Sequence, residues 1–319
     1  MLQQTRVAAA IPHFERFVAR WPTLEALAAA RDEEVFAAFS GLGYYARCRN
    51  LLAAARETLH RHGGLPGSPA ELRALPGFGP YTAGAVASIA FASPVPAVDG
   101  NVARVLARLF RVEGDPARPA VRDRLWALAG ALVPQRRPGD WNQALMELGA
   151  IVCGKPAPAC GRCPVAALCA ARAAGAERAI PPARPRAEKR RAVLACAIVE
   201  RAEAVLLVRR PAGGLLAGLL GFPAVELQAE EDARGALRDH LRRAHGIAAA
   251  VEEELGSVER VLTHRLLEVR AYRCRLAHPP GTCEDLTWIA WPDLSRAGLP
   301  RAMEALAAIL PGGSDREVS

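Results

Sequence analysis

Four cysteines within 17 residues constrain this chain more than any other feature of its sequence. They follow the spacing C-x6-C-x2-C-x5-C and are Cys153, Cys160, Cys163 and Cys169. Thiolates this close together can surround one metal centre, and four-cysteine sites hold either zinc or an iron–sulfur cluster. Zinc ribbons usually contain two C-x2-C pairs, whereas only one pair is that tight here. The segment 153–169 is therefore predicted to be a metal-binding loop.

Composition places the chain among ordinary globular proteins. Its 319 residues predict two domains, and 51% apolar with 23% charged residues argues against disorder. No stretch approaches the ~20 apolar residues of a membrane span, and the first residues lack the apolar centre of a signal peptide. We therefore expect a cytoplasmic protein without a membrane partner. Eight cysteines are too sparse for a disulfide scaffold, and four of them are predicted to be core or surface thiols: Cys48, Cys196, Cys274 and Cys283.

The positive charge of the chain is concentrated in its first two thirds. The net charge of +8 divides into +7 for residues 1–180, +4 for residues 181–191 and −3 for residues 192–319. This distribution fits a polyanionic partner held by the first part of the chain, although an arginine-rich composition alone would produce it too. Lys155 and Lys189 are the only lysines.

The hydrophobic pattern changes its period near residue 190. Apolar residues recur at helical spacing over the first 180 residues, and they alternate or form short runs after residue 191. The proline-rich basic stretch 181–191 is typical of a linker. The predicted helices are 6–20, 23–30, 33–39, 46–62, 69–75, 80–91, 101–110, 121–132, 141–151, 229–245 and 297–310. The predicted strands are 192–200, 204–210, 250–262, 265–276 and 285–291. The fold class is thus a mainly α domain over residues 1–180, followed by an α+β domain over residues 192–311 and a tail over 312–319.

A glycine-rich turn separates two of the predicted helices. It begins the sequence LPGFGPYTAGAVASIAF at residues 75–91. Gly77 and Gly79 allow positive φ, and bare N–H groups there can approach a phosphate closely at the start of the next helix. Taken alone, such a turn is also an ordinary connection between two helices.

Asp99 precedes an apolar helix in the sequence VDGNVARV. An aspartate in that position is an ordinary N-cap, worth about 1 kcal/mol. Asn101 could cap the same helix equally well, which would leave the carboxylate of Asp99 available for chemistry.

In combination, these motifs resemble those of a known enzyme superfamily. The hairpin over 75–86, the Gly/Pro-Asp signature ending in Asp99 and the cysteine loop are similar to those of the endonuclease III superfamily of base-excision DNA glycosylases. MLQQTRVAAAIPHFERF at the start and GLGYYARCRNL at 41–51 resemble the adenine DNA glycosylases. The resemblance implies a helix-hairpin-helix domain with a [4Fe-4S] cluster on the four cysteines. It also implies a monomer that acts on double-stranded DNA containing A:8-oxoguanine or A:G mispairs.

The resemblance assigns catalytic roles to Asp99, Tyr81 and Asn101. In the family, the aspartate stabilises the sugar cation that develops as the glycosidic bond breaks. Tyr81 stands where the bifunctional enzymes carry a Schiff-base lysine, in the pattern LPGxGxKT. With no lysine before Lys155, we expect a monofunctional glycosylase with water as the acceptor. The rival assignment is an endonuclease III-type enzyme with lyase activity.

Contacts to the lesion follow from the same resemblance. In the family, the glutamine that matches Gln4 is inserted into the duplex. Thr5, Leu42 and Tyr44 match family residues that contact the oxidised guanine. The contact set predicted for DNA and lesion is Gln3, Gln4, Thr5, Leu42, Tyr44, Gly77, Gly79, Thr263 and His264. Taken singly, Leu42 and Tyr44 are equally consistent with core residues near a glycine turn.

The C-terminal part resembles the Nudix-like domain of the same family, which recognises 8-oxoguanine. GLLAGLLGFP at 214–223 matches its strand-entry segment, and Leu262-Thr263-His264 matches a Phe-Ser-His loop from which the phenylalanine has been lost. The helix ALRDHLRRAHG is basic where a catalytic Nudix box needs acids, so nucleotide hydrolysis is not expected.

The family's general acid is a glutamate two residues before the methionine that matches Met1. We therefore expect this glutamate upstream of the printed chain, and the 319-residue chain to be nearly inactive and poorly stable. Losing general acid catalysis would cost on the order of 10²–10⁴-fold in rate. The alternatives are a lesion-binding protein without catalysis and, less consistent with the hairpin, a cluster-bearing electron carrier.

Overall fold

The first two thirds of the described chain are helical. The computed structural model describes residue 1 and the ranges 7–39, 42, 46–183, 189–210, 216, 218–262, 265–278 and 286–310. The helices before residue 183 are α1 (Val7–Arg20), α2 (Leu24–Ala29), α3 (Asp32–Phe39), α4 (Ala46–His62), α5 (Pro69–Ala74), α6 (Pro80–Phe91), α7 (Gly100–Leu109), α8 (Pro119–Leu132), α9 (Pro138–Glu147) and α10 (Ala170–Ala173). A π-helical turn (Leu148–Val152) and two 3-10 turns (Cys160–Arg162, Ala166–Leu168) lie between α9 and α10.

Local sequence signals account for where these helices begin. The hydroxyl of Thr23 accepts a hydrogen bond from the backbone N–H of Ala26 at the start of α2. A proline stands in the first turn of α5, α6, α8 and α9, where its missing N–H costs nothing. None of the described helices is both long and apolar enough to cross a membrane.

The remainder of the described chain is mixed α and β. Its elements are β1 (Arg190–Arg201), β2 (Ala204–Arg209), β3 (Leu220–Gly221), β4 (Ala224–Leu227), α11 (Ala233–His245), β5 (Ala249–Val261), β6 (Arg265–Leu276), β7 (Leu286–Ala290), a 3-10 turn (Trp291–Arg296) and α12 (Arg301–Ala307). The short strands β3 and β4 were not predicted, and β1 begins two residues inside the stretch predicted as linker. Arg190 and Arg191 are paired in the sheet with Arg265 and Leu266.

One mixed sheet organises these strands. Their order is β3-β2-β1-β6-β5, with β4 paired to β1 and β7 paired to β2. β1 and β6 run parallel over ten residue pairs, from Arg190–Arg265 to Val199–Cys274, and the other pairings are antiparallel.

The central strand is apolar on both faces because both faces are covered. Leu194 and Ile198 share a fully buried cluster with Met303 of α12. Val199 belongs to a second cluster with Leu241 of α11. A strand covered on both faces has a continuous apolar run rather than an alternating pattern, and AVLACAIV in β1 has this property.

Backbone contacts divide the chain into two compact units. A terminal unit comprises Met1–Leu52 and Ala187–Ser319, and a central unit comprises Ala53–Arg186. The domain boundaries expected at residues 180 and 192 follow the change of secondary structure, whereas the contacts group the first 52 residues with the C-terminal part. Those boundaries therefore stay a prediction.

The core of the central unit is built around α7. Val102, Val105 and Leu106 form the apolar stripe of this helix and pack with Leu125 of α8 and Leu145 of α9. Burying a side chain of this size contributes roughly 1.5–3 kcal/mol. Both ends of α7 are thereby held firmly by the surrounding helices.

Candidate active site

The glycine-rich turn connects α5 to α6 as predicted. Gly77 has φ of +76°, a conformation that glycine adopts without strain, and Phe78 N–H donates to the carbonyl of Leu75 at 3.1 Å. Gly79 has a φ of −74° and is the extended N-cap residue of α6, so the turn uses the conformational freedom of Gly77 only. The first N–H groups of a helix have no partner within the helix, so this end of α6 can face an anion.

Tyr81 lies in the first turn of α6 and comes close to Asp99. Its hydroxyl is 3.5 Å from Sδ of Met146, to which it donates a hydrogen bond. Burial raises the pKa of the Tyr81 phenol, and the negative charge of Asp99 raises it further. The structure thus brings these two predicted site residues together although they are 18 positions apart in the sequence.

Asp99 caps the N-terminus of α7 with its side chain. Oδ1 accepts hydrogen bonds from the backbone N–H groups of Asn101 at 2.8 Å and Val102 at 2.7 Å. Oδ2 accepts a hydrogen bond from the side-chain amide of Asn101 at 3.0 Å. The idea that Asn101 would cap the helix and leave Asp99 free is wrong. Asn101 already lies inside the helix, so it supports the carboxylate instead of replacing it.

A buried asparagine, not predicted from the sequence, holds the segment that leads to Asp99. Asn142 on α9 is 2% exposed. Its Oδ1 accepts from the N–H of Ala97 at 3.1 Å, and its Nδ2 donates to the Val95 carbonyl and to Oγ of Ser88, both at 2.9 Å. Satisfying all three groups fixes the loop against α6 and α9. The sequence signal that could have revealed Asn142 was a polar residue within the apolar stripe of a predicted helix.

Two buried arginines of α7, also missed, bind the cysteine loop, and one of them, Arg104, also reaches the residue that supports Asp99. Nη2 of Arg104 donates to Oδ1 of Asn101 at 2.9 Å, and its Nε donates to the carbonyl of Cys153 at 2.7 Å. Nη1 of Arg108 donates to Sγ of Cys153 at 3.2 Å and to its carbonyl at 3.1 Å. Arginines rarely occur fully buried without partners, and their i, i+4 spacing inside an apolar stripe was the signal for them.

The four predicted metal-ligating cysteines line one cavity. Cys153 follows the π-helical turn, Cys160 begins a 3-10 turn, and Cys163 and Cys169 each end one. Burial raises the pKa of the Cys160 thiol, and the carboxylate of Glu177 raises it further. The cavity wall also includes Arg108, Arg172 and Glu177.

The four thiols line a shared cavity. In the described ranges, no group of three or more His, Cys, Asp or Glu side chains is placed to hold a single metal ion. Four cysteine sulfurs are a donor set that iron–sulfur clusters use, so the chemistry of this cavity wall fits such a group.

Most predicted lesion contacts cannot be placed. Leu42 is buried, with 7% exposure, and its carbonyl accepts a hydrogen bond from Nη2 of Arg47 at 3.3 Å. The remaining six lie outside the described residues: Gln3, Gln4, Thr5, Tyr44, Thr263 and His264.

Comparisons with known families agree with this architecture. The model of the HhH-GPD superfamily of base excision DNA repair proteins matches residues 1–130, and a NUDIX domain model matches residues 194–308. The predicted fold class, a helical domain followed by a Nudix-like domain, is confirmed.

Sequence relatives extend over both domains. The adenine DNA glycosylase of Mus musculus is 38% identical over 353 residues, covering 95% of this chain and 68% of the mouse protein. That of Homo sapiens is 37% identical, covering 98% of this chain and 67% of the human protein. Among solved structures, a thermostable thymine-DNA glycosylase is similar with 28% identity and a TM-score of 0.47, over 53% of this chain and 78% of that one.

Proposed function

We propose that this chain, which belongs to the adenine DNA glycosylases of base excision repair, removes adenine mispaired with 8-oxoguanine or guanine and is monofunctional. The observation that carries the proposal is the carboxylate of Asp99. It stands at the start of α7, close enough for its charge to act on Tyr81 of the hairpin helix, and both of its oxygens are held by N–H donors.

The chemistry follows from where positive charge develops. When the bond between adenine and deoxyribose breaks, the sugar passes through an oxocarbenium-like state. A carboxylate fixed beside that sugar stabilises charge that is present only in the transition state. The two backbone N–H groups and the amide of Asn101 hold Asp99 in place, so little reorganisation is needed as the bond breaks.

Water is the proposed acceptor of the sugar. A lyase activity requires an amine that forms a Schiff base with the sugar carbon. The position matching that amine is Tyr81, and the only lysines of the chain are Lys155 and Lys189. A phenol whose pKa is raised by burial stays protonated and does not take over this role.

Recognition of the mispair is assigned to residues of the helical part and of the Nudix-like part of the chain. Gly77 and Gly79 would let the hairpin approach a phosphate, while Gln3, Gln4, Thr5, Leu42 and Tyr44 would contact the base pair. Thr263 and His264 would contact the oxidised guanine from the Nudix-like part. Flipping the adenine out of the duplex costs a few kcal/mol, which wedge residues of this kind offset.

A [4Fe-4S] cluster on Cys153, Cys160, Cys163 and Cys169 completes the proposal. When bound, the cluster would supply a rigid cross-link of the loop over 153–169. The chain's own residues then transmit that order, since Arg104 and Arg108 bind the Cys153 backbone and Arg104 also holds Asn101. Replacing Cys163 by serine should release iron and lower the visible absorbance, whereas the buried Cys196→Ser control should not.

Exchange of Asp99 for asparagine tests the main proposal. Asparagine remains a good N-cap, so the fold should persist. In a form of the protein that carries the family's general-acid glutamate ahead of Met1, single-turnover adenine release should fall by on the order of 10²–10³-fold relative to the same form without the substitution. Asp232→Asn is the matched control, because Asp232 caps α11 in the same way. Its side chain accepts hydrogen bonds from the backbone N–H groups of Arg234 and Gly235.

The assay uses duplexes with A:8-oxoguanine, A:G and A:T pairs and measures lesion binding in parallel. Adenine release from the first two, lost in Asp99→Asn and kept in Asp232→Asn, supports the proposal. Specific lesion binding by the unsubstituted chain without any release would favour the alternative of a lesion-binding protein. Release that survives the Asp99 substitution would refute the role of this carboxylate.

A further inference from the structure

The terminal unit contains a cleft rich in arginine that no assigned function uses. Its volume is about 530 Å³, and the arginines on its wall are Arg31, Arg49, Arg209 and Arg210, called here the arginine cleft. Two carboxylates, Asp32 and Glu33, also line it. Four guanidinium groups and two carboxylates thus lie on the wall, and Arg31 is also paired with Glu34 at 3.3 Å.

The acids of the cleft orient its arginines. Arg209 forms an ion pair with Glu33, and its Nη1 donates to the carbonyl of Gly218 at 3.1 Å. A guanidinium has five N–H donors, so these contacts fix its plane without using all of them. A rigid, planar fork of this kind matches the oxygens of a phosphate.

Arg210 is partly buried in the folded chain. Its Nη1 lies 3.4 Å from the carbonyl oxygen of Ala224, to which it donates. Burial lowers the pKa of Arg210, which means that its charge is incompletely solvated in the folded chain. A bound anion would offset this loss of solvation.

Gly218 lies against the side chain of Arg49 at the edge of the cleft. A Cβ placed on it would make ordinary van der Waals contact with Cδ of Arg49 at 3.4 Å and Nη1 at 3.7 Å. Its φ of +72° favours glycine at this position, because other residues would be strained there.

Residues from both regions matched by the family models line the cleft. Arg31 and Arg49 belong to the helical match over 1–130, and Arg209 and Arg210 belong to the NUDIX match over 194–308. We infer that the arginine cleft binds a phosphate of the DNA backbone, so that one phosphate is gripped by residues from both parts of the chain. This inference rests on the proposed function in so far as DNA is the ligand.

The salt dependence of DNA binding tests the inference. Each phosphate contact contributes about 0.9 to the slope of log K against log salt concentration. Arg49→Gln with Arg210→Gln should weaken binding about tenfold and reduce the slope by about one, equally for lesion and undamaged duplexes. Glu33→Gln should strengthen binding, because it removes a negative charge from the cleft.

The double arginine variant should weaken DNA binding and Glu33→Gln should strengthen it, and a loss of folding cannot produce both effects. Thermal melts check the folding of each variant separately. Arg243→Gln is the matched control, since Arg243 is 78% exposed and pairs with Asp239 on α11. An unchanged slope in the double variant, or weaker binding by Glu33→Gln, overturns the inference. An effect confined to the lesion duplex also overturns it, because a backbone phosphate carries no sequence information.

Inorganic pyrophosphate distinguishes a DNA site from a site for a free phosphate compound. Pyrophosphate should compete with duplex DNA for binding to the unsubstituted chain. This competition should disappear in the double variant Arg49→Gln with Arg210→Gln. Pyrophosphate binding that leaves the affinity for DNA unchanged would overturn the assignment to the backbone. Because binding does not require excision, a chain that shows these effects yet releases no adenine would refute the proposed function and keep this inference.

Discussion

Nε of Arg104 donates a 2.7 Å hydrogen bond to the carbonyl oxygen of Cys153, 49 positions further along the chain. Nη2 of the same guanidinium binds Oδ1 of Asn101 at 2.9 Å, and the Asn101 amide in turn binds Oδ2 of Asp99 at 3.0 Å. One buried side chain therefore links the loop that carries the cysteines to the carboxylate proposed to act on the sugar.

Replacing Arg104 by glutamine should affect both ends of this link. Glutamine is too short to reach Asn101 and Cys153 together, and buried acceptors left without donors cost roughly 1–3 kcal/mol each. We expect a lower melting temperature, a lower rate of adenine release and reduced iron content. Arg122→Gln, on the exposed part of α8, is the control. A variant with normal excision and normal iron content would show that the link is not needed.

Asn142→Ala should destabilise the central unit and slow excision. Its removal leaves the Ala97 N–H and the Val95 carbonyl without a buried partner, at a cost of roughly 2–4 kcal/mol. Chemical denaturation gives the loss of stability, and single-turnover kinetics at saturating chain gives the loss of rate. Gln143→Ala, which removes only one 3.2 Å bond within α9, is the neighbouring control. Equal effects of both variants would argue against a special role of Asn142.

Tyr81→Lys should create a covalent intermediate that the unsubstituted chain does not form. Partial burial at this position would lower the pKa of an amine, whereas the negative charge of Asp99 would raise it, and the fraction that is deprotonated is the nucleophile. Borohydride should then trap a cross-link to a duplex with an A:8-oxoguanine pair. Ile89→Lys, on an exposed part of the same helix, should give none. Trapping by the unsubstituted chain would disprove monofunctional chemistry.

Acid should weaken the terminal unit through His240. Burial, with added repulsion from His245 and Arg210, lowers the pKa of His240 from 6.5 to about 4. The unfolded chain therefore takes up a proton that the folded chain does not, and this contribution to stability, full above pH 6.5, is lost as pH falls toward 4.

The measurement is the fall in melting temperature between about pH 7.5 and about pH 5. In His240→Gln this fall should be smaller than in the unsubstituted chain, whereas exposed His62→Gln should leave it unchanged. An equal fall in all three chains would show that other groups dominate the acid response.

Local order was largely predictable from the sequence. The helices over 46–62 and 80–91 have the expected bounds, because apolar spacing, proline and glycine act within a few residues. The two-residue β3 and four-residue β4 were missed, since segments this short have no detectable period and depend on pairing with β2 and β1. The cysteine loop and the neighbourhood of Tyr81 and Asp99 were likewise predictable from their motifs.

What the sequence by itself determined, then, is the class of elements, the four cysteines that line one cavity and the hairpin in the same unit as Asp99. Only the tertiary structure decided that Asp99 itself caps α7, that Asn142 and Arg104 hold it, and that four arginines line one cleft. The contacts of Asn142 with Ala97 and of Arg104 with Gly149 join residues 45 positions apart. Hydrogen bonds of this kind depend on distance and direction in space, and these are fixed only when the helices and strands pack.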